Sequence, residues 1–338
     1  MAQQLTLKLT SMESPQPQRK KFKTTQDWHD YFGAAQQAKR PITTKDLFTL
    51  RKACYEEIEK HRGRPLLIYA TKFLDGVPQG TPNSIDLSDV DGFTDLINSV
   101  KGSKSIDVLL HSPGGRPDAT ERLVCLLRDK FEEINFLIPH SAYSAATMLA
   151  LSGNSIILHS SAILGPIDPQ INGIPARSIK RGFEKAKERI AKEGPEALPA
   201  YIPLIEKYSL ELLELCEDSE KLSKELVSTW LTRYMFKGEK NVGKKIKKAV
   251  SYFSDYDTHL MHSRPLPIDK LTAFGLKIEL ADDTLQDLLW ESYILLNGFF
   301  NVSPFVKLYE STHGVSWGKQ FQQIFVGPQP QQQIKPKQ

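Results

Sequence analysis

Long apolar runs are missing from this 338-residue chain. No stretch reaches the roughly 18 apolar residues that would announce a transmembrane helix. The opening MAQQLTLKLTSMESPQPQRKKFK likewise lacks the apolar core of a secretion signal. The expectation is a cytoplasmic protein with no membrane span. Cysteine is scarce too: Cys54, Cys125 and Cys216 make an odd set without metal-ligand spacing. That excludes a disulfide framework and suits a reducing compartment, with all three expected in the core. HExxH, paired CxxC and GxSxG are all absent, which leaves zinc hydrolases and α/β-hydrolases without a foothold. No cofactor and no metal are expected.

Charge of one sign is also in short supply, since 44 Lys and Arg against 40 Asp and Glu leave a net charge of only +4. Such a balance gives no argument for a nucleic-acid partner. The segment from Gly238 to Lys245 nearly spells a phosphate-binding loop, but Lys245 stands where Ser or Thr must hold magnesium, and no buried strand precedes it. We read it as a basic helix start. With 40% hydrophobic and 25% charged residues, the composition is that of a soluble globular protein of one or two domains.

What is present is an alternation of apolar strands and helices. Pro65 to Ala70, Ile106 to Leu110, Ile134 to Ile138 and Ile156 to Leu158 read as strands whose continuous apolar runs suit a sheet covered on both faces. Helices are predicted at Thr44 to Lys60, Leu87 to Val100, Pro117 to Lys130 and from Ala145 onward. This pattern implies right-handed crossovers, a mostly parallel sheet, and a site at the carboxyl ends of the strands. Beyond Gln170 the chain turns to charged helices at about 176–192, 198–217, 219–235 and 243–252. A mixed segment at 266–276 and an apolar helix at 285–300 follow. Residues 1–43 read as a polar, flexible arm whose RKKFK run is a solvated tail, and GPQPQQQIKPKQ as a disordered end.

Two features lie at that carboxyl end. The strand around Ile106 runs into His111-Ser112-Pro113-Gly114-Gly115-Arg116, whose glycines can turn the chain and bare their N–H groups. The strand around Ile134 leads to Ser144 at the mouth of a small-residue helix. Unpaired backbone N–H groups at such a helix start stabilise an oxyanion forming beside the hydroxyl. A serine before an Ala-rich helix is ordinarily only a cap. The Gly-Gly turn, set to bring one Gly N–H and the Ala145 N–H to the same side of the hydroxyl, shifts the reading toward a nucleophile.

HSPGG, SAYSAATMLAL and LGPIDPQ at these separations resemble the serine dehydrogenase proteinase family, a branch of the Clp-type serine peptidases related to signal peptide peptidase A. The resemblance runs from about Arg64 to Ile278. It implies an α/β fold of the ClpP/crotonase kind, with a mostly parallel sheet, crossover helices and an added helical region at about 176–252. It also implies a domain spanning 44–280, followed by a C-terminal helix and tail at 281–338. By the same resemblance the catalytic order is Ser, Asp, His. Asp168 in GPIDPQ matches the aspartate, and Pro169 keeps it extended.

For the base, the family's spacing to a following glycine is reproduced by His262 with Gly275, whereas His259 keeps the preceding Thr258. We take His262 as the base and His259 as its rival. Signal peptide peptidase A relatives use a lysine instead, for which Lys180 and Lys185 are the dyad candidates; a lysine acts so only when burial lowers its pKa. His111 and His140 read as lining the turn, and His159 as structural. The leading expectation is a serine endopeptidase. Ser144, His262 and Asp168 act in it with an oxyanion hole of Gly115 and Ala145 N–H groups, Gly114 supporting. A polypeptide is the expected substrate and a homo-oligomer the expected assembly. Two other classes share the fold: an acyl-CoA hydratase or isomerase of the crotonase type, which needs carboxylates at its centre, and a catalytically silent binding module.

Overall fold

A computed structural model describes residues 19–321 apart from Gln79 and Lys207, with the backbone alone for 204 and 205. The first eighteen residues of the expected arm and the polar tail GPQPQQQIKPKQ lie outside the described residues. The rest of that arm differs from the expectation. α1 (Thr25–Gln37) opens on a capping box in which Thr24 and Asp27 each satisfy the other's backbone N–H. Phe22 and Trp28 are buried, and the Trp28 ring seats on Gly298, where a Cβ would come within 2.3 Å of it. The few apolar anchors of this polar stretch thus suffice to fix it.

α2 (Thr44–Arg62) repeats the device with Thr43 and Asp46 and stops at Gly63, whose φ of +65° is the left-handed cap that glycine favours. β1 (Leu66–Thr71) follows, buried throughout. α3 (Asp89–Ser99), β2 (Ser105–His111), α4 (Pro117–Lys130) and β3 (Glu133–Ile138) continue the predicted alternation. Cys125 faces solvent on α4, because the buried stripe of that helix is Ala119, Thr120, Leu123, Val124 and Leu127. It is therefore not a core residue, unlike Cys54 and Cys216. A two-residue strand β4 (Ser141–Ala142), the buried helix α5 (Ala145–Leu151), β5 (Ser155–Leu158) and β6 (Ile163–Leu164) complete the segment that carries the candidate nucleophile.

After a small hairpin of β7 (Gln170–Ile171) and β8 (Ile174–Pro175) come α6 (Ala176–Glu193), α7 (Leu198–Ile205) and α8 (Leu210–Trp230). The break between the last two falls near 206–209, where the Ser209 side chain caps α8 through Leu212 N–H, and not near residue 218. A single π turn, Leu231–Met235, extends α8. α9 (Gly243–Phe253), α10 (Tyr256–His259), α11 (Ile268–Ala273), β9 (Ile278–Leu280), α12 (Asp283–Val302), β10 (Phe305–Ser311) and β11 (Ser316–Gln320) close the described chain.

Seven strands form the main sheet in the order β11-β10-β1-β2-β3-β5-β9. β1, β2, β3, β5 and β9 run parallel, while β10 pairs antiparallel with β1, and β11 with β10. Alternate side chains divide between two cores. Tyr69, Val108, Leu110, Phe136 and Ile138 face α3, α4, α5, α8 and α9. Ile68, Leu109, Leu137 and Ile157 face α1, α2 and α12. Each such Leu, Ile or Phe contributes about 1.5–3 kcal/mol on burial, so both faces are strongly specified. The expected α/β architecture, a mostly parallel sheet with crossover helices, is thus the observed one. The sheet does not end with the 44–280 segment: α12 covers one face, and the hairpin β10–β11 adds two strands beside β1.

Candidate active site

The carboxyl ends of β1, β2 and β3 meet a second layer of backbone pairing. β4 pairs parallel with β6 from Ser141 to Ile163, and Ser112 bridges Ala142. Ser112 N–H donates to Ser141 O at 3.2 Å, and Tyr143 N–H donates to Ser112 O at 3.1 Å. The Gly-Gly turn and the serine segment are therefore hydrogen-bonded to each other just before Ser144.

Ser144 has φ +53° and ψ −123°, a backbone region that costs a non-glycine residue about 1–3 kcal/mol and persists only where the surroundings enforce it. Enforcement is visible on both sides. Ala146 N–H donates to Tyr143 O at 2.9 Å, and Met148 N–H donates to Ser144 O at 3.0 Å, while Thr147 Oγ1 donates to Ala142 O at 2.8 Å. From the other side Gly114 presses directly on the serine: a Cβ there would lie 2.4 Å from Tyr143 O, 2.8 Å from Ala145 N and 2.8 Å from Ser144 Cβ. The Ser144 hydroxyl has no hydrogen-bond partner among the described residues, His262 included.

Gly115 is the second fixed point of the turn. Ile85 N–H donates to Gly114 O at 2.7 Å, and Arg116 N–H donates to Ile85 O at 2.9 Å. That parallel bridge leaves the Gly115 N–H without an acceptor among the described residues, and the same holds for Ala145 N–H. Gly114 N–H, by contrast, is engaged by Ser112 Oγ at 3.2 Å. Gly115 and Ala145 N–H groups are thus both unengaged among the described residues, as is the Ser144 N–H, and Gly114 is the spacer that lets the two segments approach.

Asp168 follows Gly165, which lies against Tyr143: a Cβ on this glycine would fall 2.4 Å from the Tyr143 ring. The aspartate is buried, and Ile167 N–H ties the segment to Phe253 O at 2.8 Å. His262 Nδ1–H donates to Asp168 Oδ1 at 2.9 Å across 94 residues of chain, which leaves the imidazole Nε2 free. The ring is 21% exposed, and the second carboxylate oxygen, Oδ2, has no partner among the described residues. Such a pair orients an imidazole and stabilises its protonated form.

The rival base is differently placed. His259 is buried at the end of α10, where Nε2–H donates to Tyr252 O at 2.6 Å and the ring stands edge-on to Tyr252. Its ring is committed to the backbone it packs on. Lys180 lies on α6, ion-paired with Glu220 at 3.4 Å and Glu217 at 3.5 Å, and Lys185 is exposed on the same helix.

His111 and His140 belong to an aromatic layer beside the turn. The His111 ring lies against Phe73, His140 and Tyr293, and His140 stacks on Tyr293 with centroids 4.2 Å apart. Burial, with His140 as the lesser cause, pushes His111 down to about 3 from 6.5, so it is neutral at any working pH. His159 stacks on Trp290. Two supports escaped the sequence reading. Ile85 sits in the turn-rich DGVPQGTPNSI stretch with no periodic signal. Arg264 donates to Thr258 O at 3.0 Å and His259 O at 3.1 Å, holding the loop that carries His262, and nothing in HSRPL marks it.

This chain belongs to the ClpP-like SDH-type serine proteinase family, whose model matches residues 39–291. An uncharacterized protein of Methanocaldococcus jannaschii is 26% identical over 234 residues, 68% of this chain and 71% of that protein. A second from the same organism is 34% identical over 101 residues, 30% of this chain and 35% of its own length. Among solved structures, a serine-to-alanine mutant of the 1510-N membrane-bound stomatin-specific protease overlaps 60% of this chain and 77% of its own, with 16% identity and a TM-score of 0.35. A lysine-to-alanine mutant of that protease in complex with a substrate peptide overlaps 60% and 73%, with 19% identity and a TM-score of 0.33. No described helix is long and apolar enough to cross a membrane.

Proposed function

We propose that the chain is a serine endopeptidase in which Ser144 attacks a peptide carbonyl, His262 Nε2 takes the hydroxyl proton and returns it to the leaving amine, and Asp168 holds the imidazole. Gly115 and Ala145 N–H groups receive the oxyanion, and loss of one such donor ordinarily costs about 10²–10³ in rate. The observation that carries this reading is the enforced positive-φ conformation of Ser144 between two unengaged backbone donors. His262 is favoured over His259 because its Nδ1 is bonded to a buried carboxylate and its other nitrogen is free. A lysine base is disfavoured because Lys180 is ion-paired and Lys185 solvated. A crotonase-type hydratase needs free carboxylates beside the oxyanion donors, whereas Asp168 is taken by His262.

The substrate is then a polypeptide, the compartment the cytoplasm and the assembly a homo-oligomer; light scattering of the purified chain checks the last. The chemistry is tested with a fluorophosphonate probe and mass spectrometry of the adduct. Labelling confined to Ser144, lost in Ser144→Ala and reduced in His262→Ala, is the expected result. An unlabelled wild-type protein would leave the silent binding module as the better reading.

A further inference from the structure

The turn that presents Gly115 is not held by its own segment alone. Ile85, its backbone partner, lies between two residues anchored to a lysine that is fully buried in β10. Lys307 Nζ donates to Ser84 O at 2.7 Å, to Asp86 Oδ2 at 3.2 Å and to Asp89 Oδ1 at 2.8 Å, using all three of its protons. Asp86 N–H in turn donates to Asp89 Oδ2 at 2.9 Å, and the hydroxyls of Tyr69 and Tyr309 close around the same carboxylate. Among the described residues no other charge fixes both neighbours of a residue that clamps the candidate oxyanion turn. Lys307 also lies beyond the 39–291 span that matches the family model.

A buried ammonium costs several kcal/mol to desolvate and is tolerated only where partners satisfy its charge and its protons. One carboxylate at Asp89 would already neutralise it. The bond to the Ser84 carbonyl adds no charge pairing; it fixes the path of the backbone entering Ile85.

We propose that Lys307 is a positioning residue for the oxyanion hole: by holding Ser84 and Asp86 it fixes Ile85, and Ile85 aims the Gly115 N–H. This rests on the peptidase reading above only for its catalytic consequence. A displacement of the turn by about 1 Å is enough to slow an acylation roughly 10²-fold.

The test compares wild type with Lys307→Met, with Lys307→Met/Asp89→Asn, which removes both fully buried charges and leaves only the partly exposed Asp86 carboxylate without its lysine, and with Lys319→Met. Lys319 reaches Ser88 and the Asp89 carboxylate from the surface but touches neither Ser84 nor Asp86. With fluorophosphonate in excess, the amplitude of Ser144 labelling counts folded sites, and the rate constant reports the site itself. The expected result is a rate constant about 10- to 100-fold lower in both Lys307 variants. Amplitude should be kept, and Lys319→Met should match wild type. Amide hydrogen exchange at Ile85 and Arg116 should accelerate at least about tenfold in the same two variants. A lower amplitude with an unchanged rate constant would make Lys307 a stability residue only, and unchanged exchange would overturn the proposal outright. Failure of wild type to label would instead overturn the peptidase reading, while the exchange data still decide whether Lys307 holds the turn.

Discussion

His259 and His262 stand three positions apart, yet their rings are committed to different partners: His259 to the Tyr252 carbonyl at 2.6 Å, His262 to the Asp168 carboxylate at 2.9 Å. A carbonyl partner fixes a ring, whereas a buried carboxylate also stabilises its charged form. The two alanine variants should therefore fail differently. His262→Ala is expected to lower turnover per folded molecule by about 10²–10⁴, whatever stability it also loses by orphaning the buried Asp168 carboxylate. His259→Ala is expected to cost about 1–3 kcal/mol of stability by orphaning the Tyr252 carbonyl, with the labelling rate per folded molecule near wild type. Calorimetry beside labelling kinetics separates them, and the opposite pattern would exchange their roles.

Asp168→Asn keeps the shape but loses the charge. The amide nitrogen cannot accept from His262 Nδ1–H, and an amide oxygen in its place offers the imidazolium no countercharge. Turnover should fall by roughly 10²–10⁴ while the substrate concentration for half-maximal rate holds. If His262 were only a surface histidine, the asparagine variant would keep its rate.

The strand and helix alternation from Leu66 to Leu158, the Gly-Gly turn and Ser144 were all legible, because each left a local signature of period or turn chemistry. The hairpin after α12 was not. Phe305–Ser311 carries Lys307 and Glu310, two charged residues that interrupt any apolar run there and yet are buried against Asp89 and Arg51. Those partners lie more than 200 residues away in sequence, so no window across β10 contains the charges that make it a core strand. The flexible-arm reading of 19–43 failed similarly, since Phe22 and Trp28 find their cover on α12. For the histidines, spacing favoured His262 but retained His259; only the path of the backbone distinguishes a ring facing Asp168 from one facing Tyr252.

That buried hairpin has a measurable consequence. Arg51 donates two bonds to Glu310, at 2.7 and 2.9 Å, and Tyr55 a third at 3.0 Å. Glu310→Gln leaves a guanidinium buried without its countercharge and should cost about 3–5 kcal/mol. Arg51→Met/Glu310→Leu removes both charges and should recover most of that loss. Urea unfolding of the three proteins checks this, and it also asks whether β10 melts with the sheet. A separate early transition in Glu310→Gln would show that the hairpin is an independent addition.

The acid limb of stability should carry the mark of His111. Its buried imidazole is neutral in the fold down to about pH 3, whereas an unfolded histidine protonates near 6.5. Between those values the unfolded chain binds the extra proton, so the contribution of this residue is full above pH 6.5 and is lost progressively as the pH falls toward 3. The slope is about 1.4 kcal/mol per pH unit, or about 2 kcal/mol by pH 5. Carboxylates add their own pH dependence, but a variant that cannot titrate at this position shares it. His111→Leu keeps an apolar side chain against Phe73 and Tyr293 and removes the proton site. The stability difference between wild type and this variant should move by about 2 kcal/mol in favour of the variant from pH 7 to pH 5. Parallel curves would mean that the imidazole takes its proton without unfolding, and would overturn its assignment as a neutral buried ring.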